Sequence, residues 1–179
     1  VRIVNSIGSK KLFLKHYRLS SVCIYNPLNF KEIIKLSKIK KKNLFNKKVS
    51  LKLISVGRLS EEKDQLTFLK SISYLKSKIK LSALIIGEGS LKNKLLNFIN
   101  KNKLNKIVKL VGYKKNPYPY IKQSDFLILS SLHEGLPNIL LEATVLKKFV
   151  ISSNCETGPK EILINGKAGA LFRVKNYVD

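Results

Sequence analysis

From Leu51 onward, short unbroken apolar runs alternate with stretches of helical spacing, and few folds accommodate that pattern. Leu51 to Val56, Ala83 to Ile86, Ile107 to Val111, Asp125 to Leu129 and Phe149 to Ser152 read as strands, with Ala170 to Phe172 as a short last one. Between them, Asp64 to Leu75 places Leu66, Leu69 and Ile72 on one helical face. A second helix carries Leu91, Leu95, Leu96 and Ile99, with Ser90 as its expected cap. Shorter helices are expected from Asn116 to about Gln123, from about Asn138, and over Lys160 to Leu163. Strands that lack polar alternation are buried on both faces. The expectation is therefore an α/β fold: a Rossmann-like parallel sheet with helices on both faces, over residues 51–179.

The residues before Leu51 look like the end of something else. Val1 to Gly8 and Ser21 to Tyr25 are short apolar segments flanking a basic helical stretch, Lys10 to Tyr17, and Asn26-Pro27 stops the second of them. Phe30 to Lys42 has a helix-like pattern, and Lys38 to Lys48 reads as a solvated linker. This divides the chain into 1–26, 27–50 and 51–179. Because the chain opens on Val1 and ends at Asp179 without a stop signal, it is expected to be a fragment, truncated at its end.

Ligands of such sheets bind at the carboxyl ends of the strands. There the strand ending at Leu129 runs into Ser130-Ser131-Leu132-His133-Glu134-Gly135-Leu136-Pro137-Asn138-Ile139-Leu140-Leu141-Glu142-Ala143. A helix start at this point offers unpaired N–H groups to a phosphate. The backbone of Gly135, Leu136, Pro137, Asn138, Ile139 and Leu140 is expected to hold phosphate and sugar hydroxyls. Glu134 and Glu142 bracket the turn; carboxylates repel phosphate, so both should accept hydrogen bonds from hydroxyl groups. A ligand with phosphates and many hydroxyls is a nucleotide sugar. The first strand of the domain ends on Gly57-Arg58-Leu59-Ser60, followed by Lys63. Arg58 and Lys63 would face the same crevice and suit a diphosphate, with Gly57 allowing a close backbone turn. Gly87-Glu88-Gly89 lacks the third glycine of a dinucleotide fingerprint and reads as a turn. Gly112-Tyr113 is a strand end where a nucleobase would approach. His133 reads as a loop histidine, and Cys155 has no general base at a suitable spacing.

The Glu-x7-Glu spacing within EGLPNILLEA resembles the signature of retaining glycosyltransferases of family 4, which have the two-domain GT-B fold. Gly57-Arg58-Leu59 with Lys63 is similar to that family's Gly-Arg-Leu-x-x-x-Lys element, whose Arg and Lys contact the donor diphosphate. Gly158-Pro159-Lys160-Glu161-Ile162-Leu163 and Asn116 to Tyr120 resemble the subset that builds lipopolysaccharide, O-antigen or lipid-linked glycans from UDP-sugars. The resemblance covers about Val22 to Phe172. It implies that Glu142 grips the ribose and that Glu134 contacts the donor sugar near the reacting carbon. It further implies that Arg58 and Lys63 stabilise the leaving diphosphate, with a UDP-sugar as substrate and neither cofactor nor metal. Residues 1–26 would be the remnant of an acceptor domain and 27–50 an interdomain linker. The family's other catalytic-side histidine lies in that acceptor domain, so the chain alone should be inactive. One departure stands out: Lys147-Lys148-Phe149 replaces the family's usual Gly-x-Pro after the glutamate helix.

Charge bears on partners. The net charge is +24, but 31 of the 35 basic residues are Lys and four are Arg. Sites that read bases or grip phosphate bidentately favour Arg, and the lysines are scattered, so specific nucleic-acid binding is not expected. Attraction to an anionic membrane surface fits better, at about 1 kcal/mol per Lys near that surface. No run approaches the roughly 18 apolar residues of a membrane span, no secretory signal opens the chain, and Cys23 and Cys155 lack metal-ligand spacing. The expected setting is cytoplasmic, peripheral on the inner face of the membrane, beside a glycan or lipid-linked acceptor. A sugar-nucleotide epimerase of the same fold and a basic nucleic-acid-binding module are the rival readings.

Overall fold

The computed structural model describes residues 1–46 and 48–179; Lys47, within the expected linker, lies outside them. Six parallel strands form the main sheet: β3 (Leu51–Val56), β4 (Leu81–Ile86), β5 (Val108–Leu110), β6 (Phe126–Leu129), β7 (Phe149–Ser153) and β8 (Ala170–Phe172). Their spatial order is β5-β4-β3-β6-β7-β8. The chain thus builds outward from β3 in one direction, then crosses back and builds outward in the other. β3 pairs with β4 from Leu51↔Leu81 to Val56↔Ile86 and with β6 at Leu53↔Phe126 and Ile54↔Leu127. The reversal of strand order falls between β3 and β6, and their carboxyl ends open a crevice there.

Neighbouring residues on each strand face opposite sides, and both sides are covered. Leu53, Ala83 and Ile85 pack with Phe68, Leu69 and Ile72 of α3 (Gln65–Leu75) and Leu95 and Ile99 of α4 (Lys92–Lys101). On the other face Ile54, Leu84, Ile86, Leu127 and Leu129 pack with Tyr120 and Ile121 of α5 (Tyr118–Gln123), and with Leu140 and Ala143 of α6 (Asn138–Val145). Every residue of β4 is buried, which is why its sequence shows no polar alternation. The expected α/β architecture is the one observed.

Local chemistry sets the helix ends, with two departures. Asp64 caps α3, its carboxylate accepting from the Thr67 N–H at 3.3 Å and hydroxyl at 2.7 Å. Ser90 does not cap α4: the cap position is Leu91, with no side-chain bond. The preceding turn is tied instead by backbone, Leu59 N–H to the Glu88 carbonyl at 2.9 Å and Leu91 N–H to the Leu59 carbonyl at 3.1 Å. This close crossing explains the two glycines, because a Cβ on Gly87 would lie 1.9 Å from the Gly57 oxygen and one on Gly89 2.3 Å from the Leu59 oxygen. Helix α6 ends with the Lys147 N–H on the Thr144 carbonyl at 2.9 Å and the Lys148 N–H on the Ala143 carbonyl at 3.0 Å. That is the Schellman pattern, whose left-handed residue is usually glycine. Here Lys147 occupies it, at φ 56°.

Before the main sheet, β1 (Ile3–Val4) and β2 (Val22–Cys23) pair in a separate two-stranded parallel sheet, joined by α1 (Ile7–Tyr17). Helix α2 (Phe30–Ser37) is capped by Asn29, which accepts from the Glu32 N–H at 3.1 Å, and packs against α5 and α6. The Lys-rich stretch is not solvated throughout. Lys38 to Lys42 are exposed, but Phe45 is buried in the core beside α5. Leu44 packs against the same core, and the Asn46 N–H donates to the Ser82 hydroxyl at 3.1 Å, so the segment is pinned by apolar burial and by this backbone bond together.

Candidate functional site

The two loops that flank the crevice are bound to each other. After β3, residues 57–64 form a loop with one 3-10 turn, Glu61–Lys63. After β6, residues 130–137 lead to α6. The Leu132 N–H donates to the Glu62 carbonyl at 2.7 Å and the Ser130 hydroxyl to the Lys63 carbonyl at 3.1 Å. These bonds set Lys63 opposite Glu134, with Nζ 2.6 Å from Oε1 and side-chain exposures of 24% and 8%. The same carboxylate oxygen accepts from the Ser131 hydroxyl at 2.6 Å, and the Thr157 hydroxyl donates to the Glu134 backbone carbonyl. Ser153, at the end of β7, donates to the Ser131 carbonyl at 2.6 Å. A carboxylate this enclosed has one oxygen committed to two donors, which fixes its orientation.

Helix α6 starts beside this pair. Its cap position is Pro137, with no side-chain bond, so the Asn138 and Ile139 N–H groups have no capping side chain, whereas the Leu140 N–H, expected to face the ligand, is already taken by the Pro137 carbonyl at 3.0 Å. Glu142, one turn in, is half-buried. Burial pushes its carboxyl up, opposed by a hydrogen bond from Tyr118; the Tyr118 hydroxyl is itself pushed up, first by burial and then by Glu142. The backbone beneath the turn is tight. Gly158, at φ 86°, passes so close that a Cβ there would lie 2.6 Å from both the Gly135 oxygen and Pro137 Cδ. Asn138 is engaged from the amino-terminal unit, its Oδ1 accepting from Asn26 Nδ2 at 2.8 Å.

The remaining expected residues sit further out. Arg58 is not drawn into the Lys63–Glu134 contact: its side chain is 73% exposed and 3.9 Å from Glu62, a pair of little energetic weight. Its carbonyl is held by Gln65 at 2.7 Å. Gly57 needs no special backbone, since an added Cβ would only touch the Lys63 stem at 3.8 Å; Gly87 and Gly89 carry the close turn expected of it. Gly112 does, at φ 70° with Glu88 Oε1 2.9 Å from a Cβ there, and Tyr113 is exposed. Cys155 is buried and its thiol pushed up to about 11, by burial first and then by the Glu134 carboxylate, so it is a poor nucleophile. An apolar cavity of about 300 Å³ lined by Phe68, Phe126, Ile151 and Tyr177 shares no residue with the site.

Ser131, Thr157 and Tyr118 are neighbours of Glu134 and Glu142 that sequence reasoning missed. Their only signal was position: two hydroxyls within a few residues of strand ends and a tyrosine opening a helix, none distinctive before the loops are assembled.

The model of one family, Glycosyl transferases group 1, matches residues 37–179. The chain belongs to that family. Its matched segment contains the crevice and every residue placed there above except those from the amino-terminal unit. An uncharacterized glycosyltransferase of Methanocaldococcus jannaschii is 39% identical over 169 residues, 90% of this chain and 41% of that protein. The N-acetylgalactosamine-N,N'-diacetylbacillosaminyl-diphospho-undecaprenol 4-alpha-N-acetylgalactosaminyltransferase of Campylobacter jejuni is 33% identical over 69% of this chain and 33% of its own length. The chain therefore spans less than half of these curated relatives. Among solved structures, Staphylococcus aureus TarM, in complex with fondaparinux, alpha-GlcNAc-glycerol and UDP, superposes with a TM-score of 0.80 at 21% identity. That match covers 98% of this chain and 34% of TarM. Anabaena HepE in complex with UDP superposes at 0.77 and 19% identity, over 96% of this chain and 49% of HepE. The glycosyltransferase group 1 domain and its GT-B fold are thus shared by sequence and by architecture.

Proposed function

We propose that this chain is the donor-binding part of a retaining family 4 glycosyltransferase that moves a hexose or N-acetylhexosamine from a UDP-sugar to a growing cell-surface glycan. The observation that carries the reading is the Lys63–Glu134 pair, held at the switch point between β3 and β6 beside the uncapped start of α6. A cation, a carboxylate and free backbone N–H groups within one crevice suit a diphosphate joined to a hydroxyl-rich sugar. In this reading the diphosphate takes Lys63 and the first turn of α6, with Arg58 swinging in from solvent. The ribose takes Glu142, the base lies along Gly112 and Tyr113, and Glu134 turns to the transferred sugar.

As the C1–O bond to the diphosphate breaks, negative charge accumulates on the leaving oxygens. Lys63, Arg58 and the helix start stabilise that charge without a metal ion. Residues 1–26 would belong to the acceptor side of the cleft and residues 51–179 to the donor side. Names of relatives support the acceptor class, since the Campylobacter enzyme is named for a diphospho-undecaprenol substrate. The lysine excess supports a place on the inner face of an anionic membrane.

Calorimetric titration with UDP and UDP-sugars tests the reading. UDP should bind, and Arg58→Ala and Glu142→Ala should each weaken binding about tenfold, the equivalent of one charge-assisted hydrogen bond. A folded chain that ignores UDP would refute donor binding here.

A further inference from the structure

Glu161 belongs to none of the groups assigned above, yet its carboxylate gathers three donors from a distant part of the chain. The Ile7 N–H reaches Oε1 and the Gly8 N–H reaches Oε2, each at 3.1 Å, and the Tyr25 hydroxyl reaches Oε1 at 2.5 Å. The first two belong to the opening turn of α1, where an anion is favoured by the helix dipole as well as by the bonds. We infer that Glu161 is a positioning residue: from the short helix α7 (Pro159–Ile162) it clasps the start of α1 and Tyr25 against the turn that carries Glu134.

Three observations make the contact more than a surface cap. First, the clasp leads directly to the site. Gly8 lies against Thr157, so that an added Cβ would meet its Cγ2 at 3.1 Å, and Thr157 is the residue whose hydroxyl holds the Glu134 carbonyl. Second, the same unit touches the donor turn twice more: Asn5 faces Gly135, with Oδ1 3.0 Å from a Cβ built there, and Asn26 bonds Asn138 at 2.8 Å. Third, little else holds the unit in place. Helix α1 has no buried residue, and β1 and β2 pair only with each other, so apolar burial contributes little and polar bonds carry the docking. The inference rests on the Glu134 turn being the donor site. It adds that one carboxylate, with the Asn5 and Asn26 contacts beside it, helps set the stance of residues 1–26 over that site.

Amide hydrogen exchange at Ile7 and Gly8, read residue by residue, tests the clasp independently of any substrate. In Glu161→Ala both amides should exchange at least about tenfold faster than in the parent, while β3, β4 and β6 amides keep their protection. Glu161→Gln retains one carbonyl acceptor and should fall between the two. Tyrosine ionisation gives a second signature. Tyr25 is pushed up to about 12, chiefly by its hydrogen bond to Glu161, then by burial and the neighbouring negative charge. In Glu161→Gln it should fall toward the ordinary value of about 10, and Tyr25→Phe should delete that titration while the β3, β4 and β6 amides keep their protection. Unchanged exchange at Ile7 and Gly8 in a folded Glu161→Ala chain would overturn the proposal. A chain that fails to bind UDP while these amides respond as expected would instead sink only the donor reading.

Discussion

Lys63 and Glu134 are paired at 2.6 Å, and that contact separates two variants that would otherwise look alike. In the proposed function, a donor diphosphate would compete with Glu134 for the ammonium group. Removing the cation in Lys63→Ala should weaken UDP binding and also destabilise the chain by about 2 kcal/mol, because Glu134 is left with Ser131 alone. Glu134→Gln keeps the shape and the Ser131 bond but removes the competing charge. It should bind UDP several-fold more tightly, a gain of about 1 kcal/mol. Weaker UDP binding by Glu134→Gln in calorimetry would show that the carboxylate does not compete for Lys63. The same enclosure quiets Cys155. With its thiol pushed up to about 11, about one part in a thousand is thiolate at pH 8. Iodoacetamide at that pH should label partly exposed Cys23 and spare Cys155, whose labelling should rise only as the pH approaches 11. Lys63 and Glu134 were conspicuous in the sequence as charges beside strand ends, although Arg58, equally conspicuous, is not drawn into their contact. Ser131 and Thr157 were not, since a loop hydroxyl is ordinary until the fold brings a second loop to it.

Among the elements, the strands of the main sheet were the most legible part. Burial on both faces leaves an unbroken apolar run, and β4 is the extreme case. Helix ends were less so. Ser90 had the right chemistry for a cap but sits where backbone bonds from Leu59 already organise the turn. Phe45 was hidden among lysines, its role decided by the space beside α5 rather than by any local pattern. The end of α6 illustrates a conflict between local preference and fold. The Schellman bonds form although Lys147 carries a Cβ into left-handed backbone at φ 56°, at a cost of about 1 kcal/mol. Lys147→Gly should recover most of that, raising the melting temperature by about 2–4 °C for a domain of this size. Gly89→Ala should act in the opposite direction, because its Cβ meets the Leu59 backbone and no flexible side chain can yield. A loss of about 3 kcal/mol or more is expected. Thermal melts of the two variants side by side test both; a neutral Gly89→Ala would mean that the Leu59 crossing relaxes.

For the whole molecule, the excess of +24 is a property of the surface rather than of the crevice. Among the described residues, no helix is long and apolar enough to cross a membrane, so any attachment by this chain's helices would rest on the surface. Lys38, Lys40, Lys41 and Lys42 stand exposed on the connector, and Lys148 is pushed down by burial and by nearby Lys122 and Lys52, against Asp125. Such clusters attract an anionic leaflet without a dedicated pocket, each Lys contributing about 1 kcal/mol close to the surface. The attraction decays over a Debye length, about 8 Å at physiological ionic strength and about 3 Å at 1 M salt. Sedimentation with vesicles of phosphatidylglycerol and phosphatidylcholine distinguishes this from burial of an apolar anchor. The chain should pellet with phosphatidylglycerol-rich vesicles at low salt, remain in solution with pure phosphatidylcholine, and be released at 1 M NaCl. Replacing Lys38, Lys40, Lys41 and Lys42 by Gln should shift the release point to lower salt without altering UDP binding, since none of the four touches the crevice. Retention at 1 M NaCl would exclude a purely electrostatic attachment and point to the exposed apolar side chains of α1 instead, Phe13, Leu14 and Tyr17 among them.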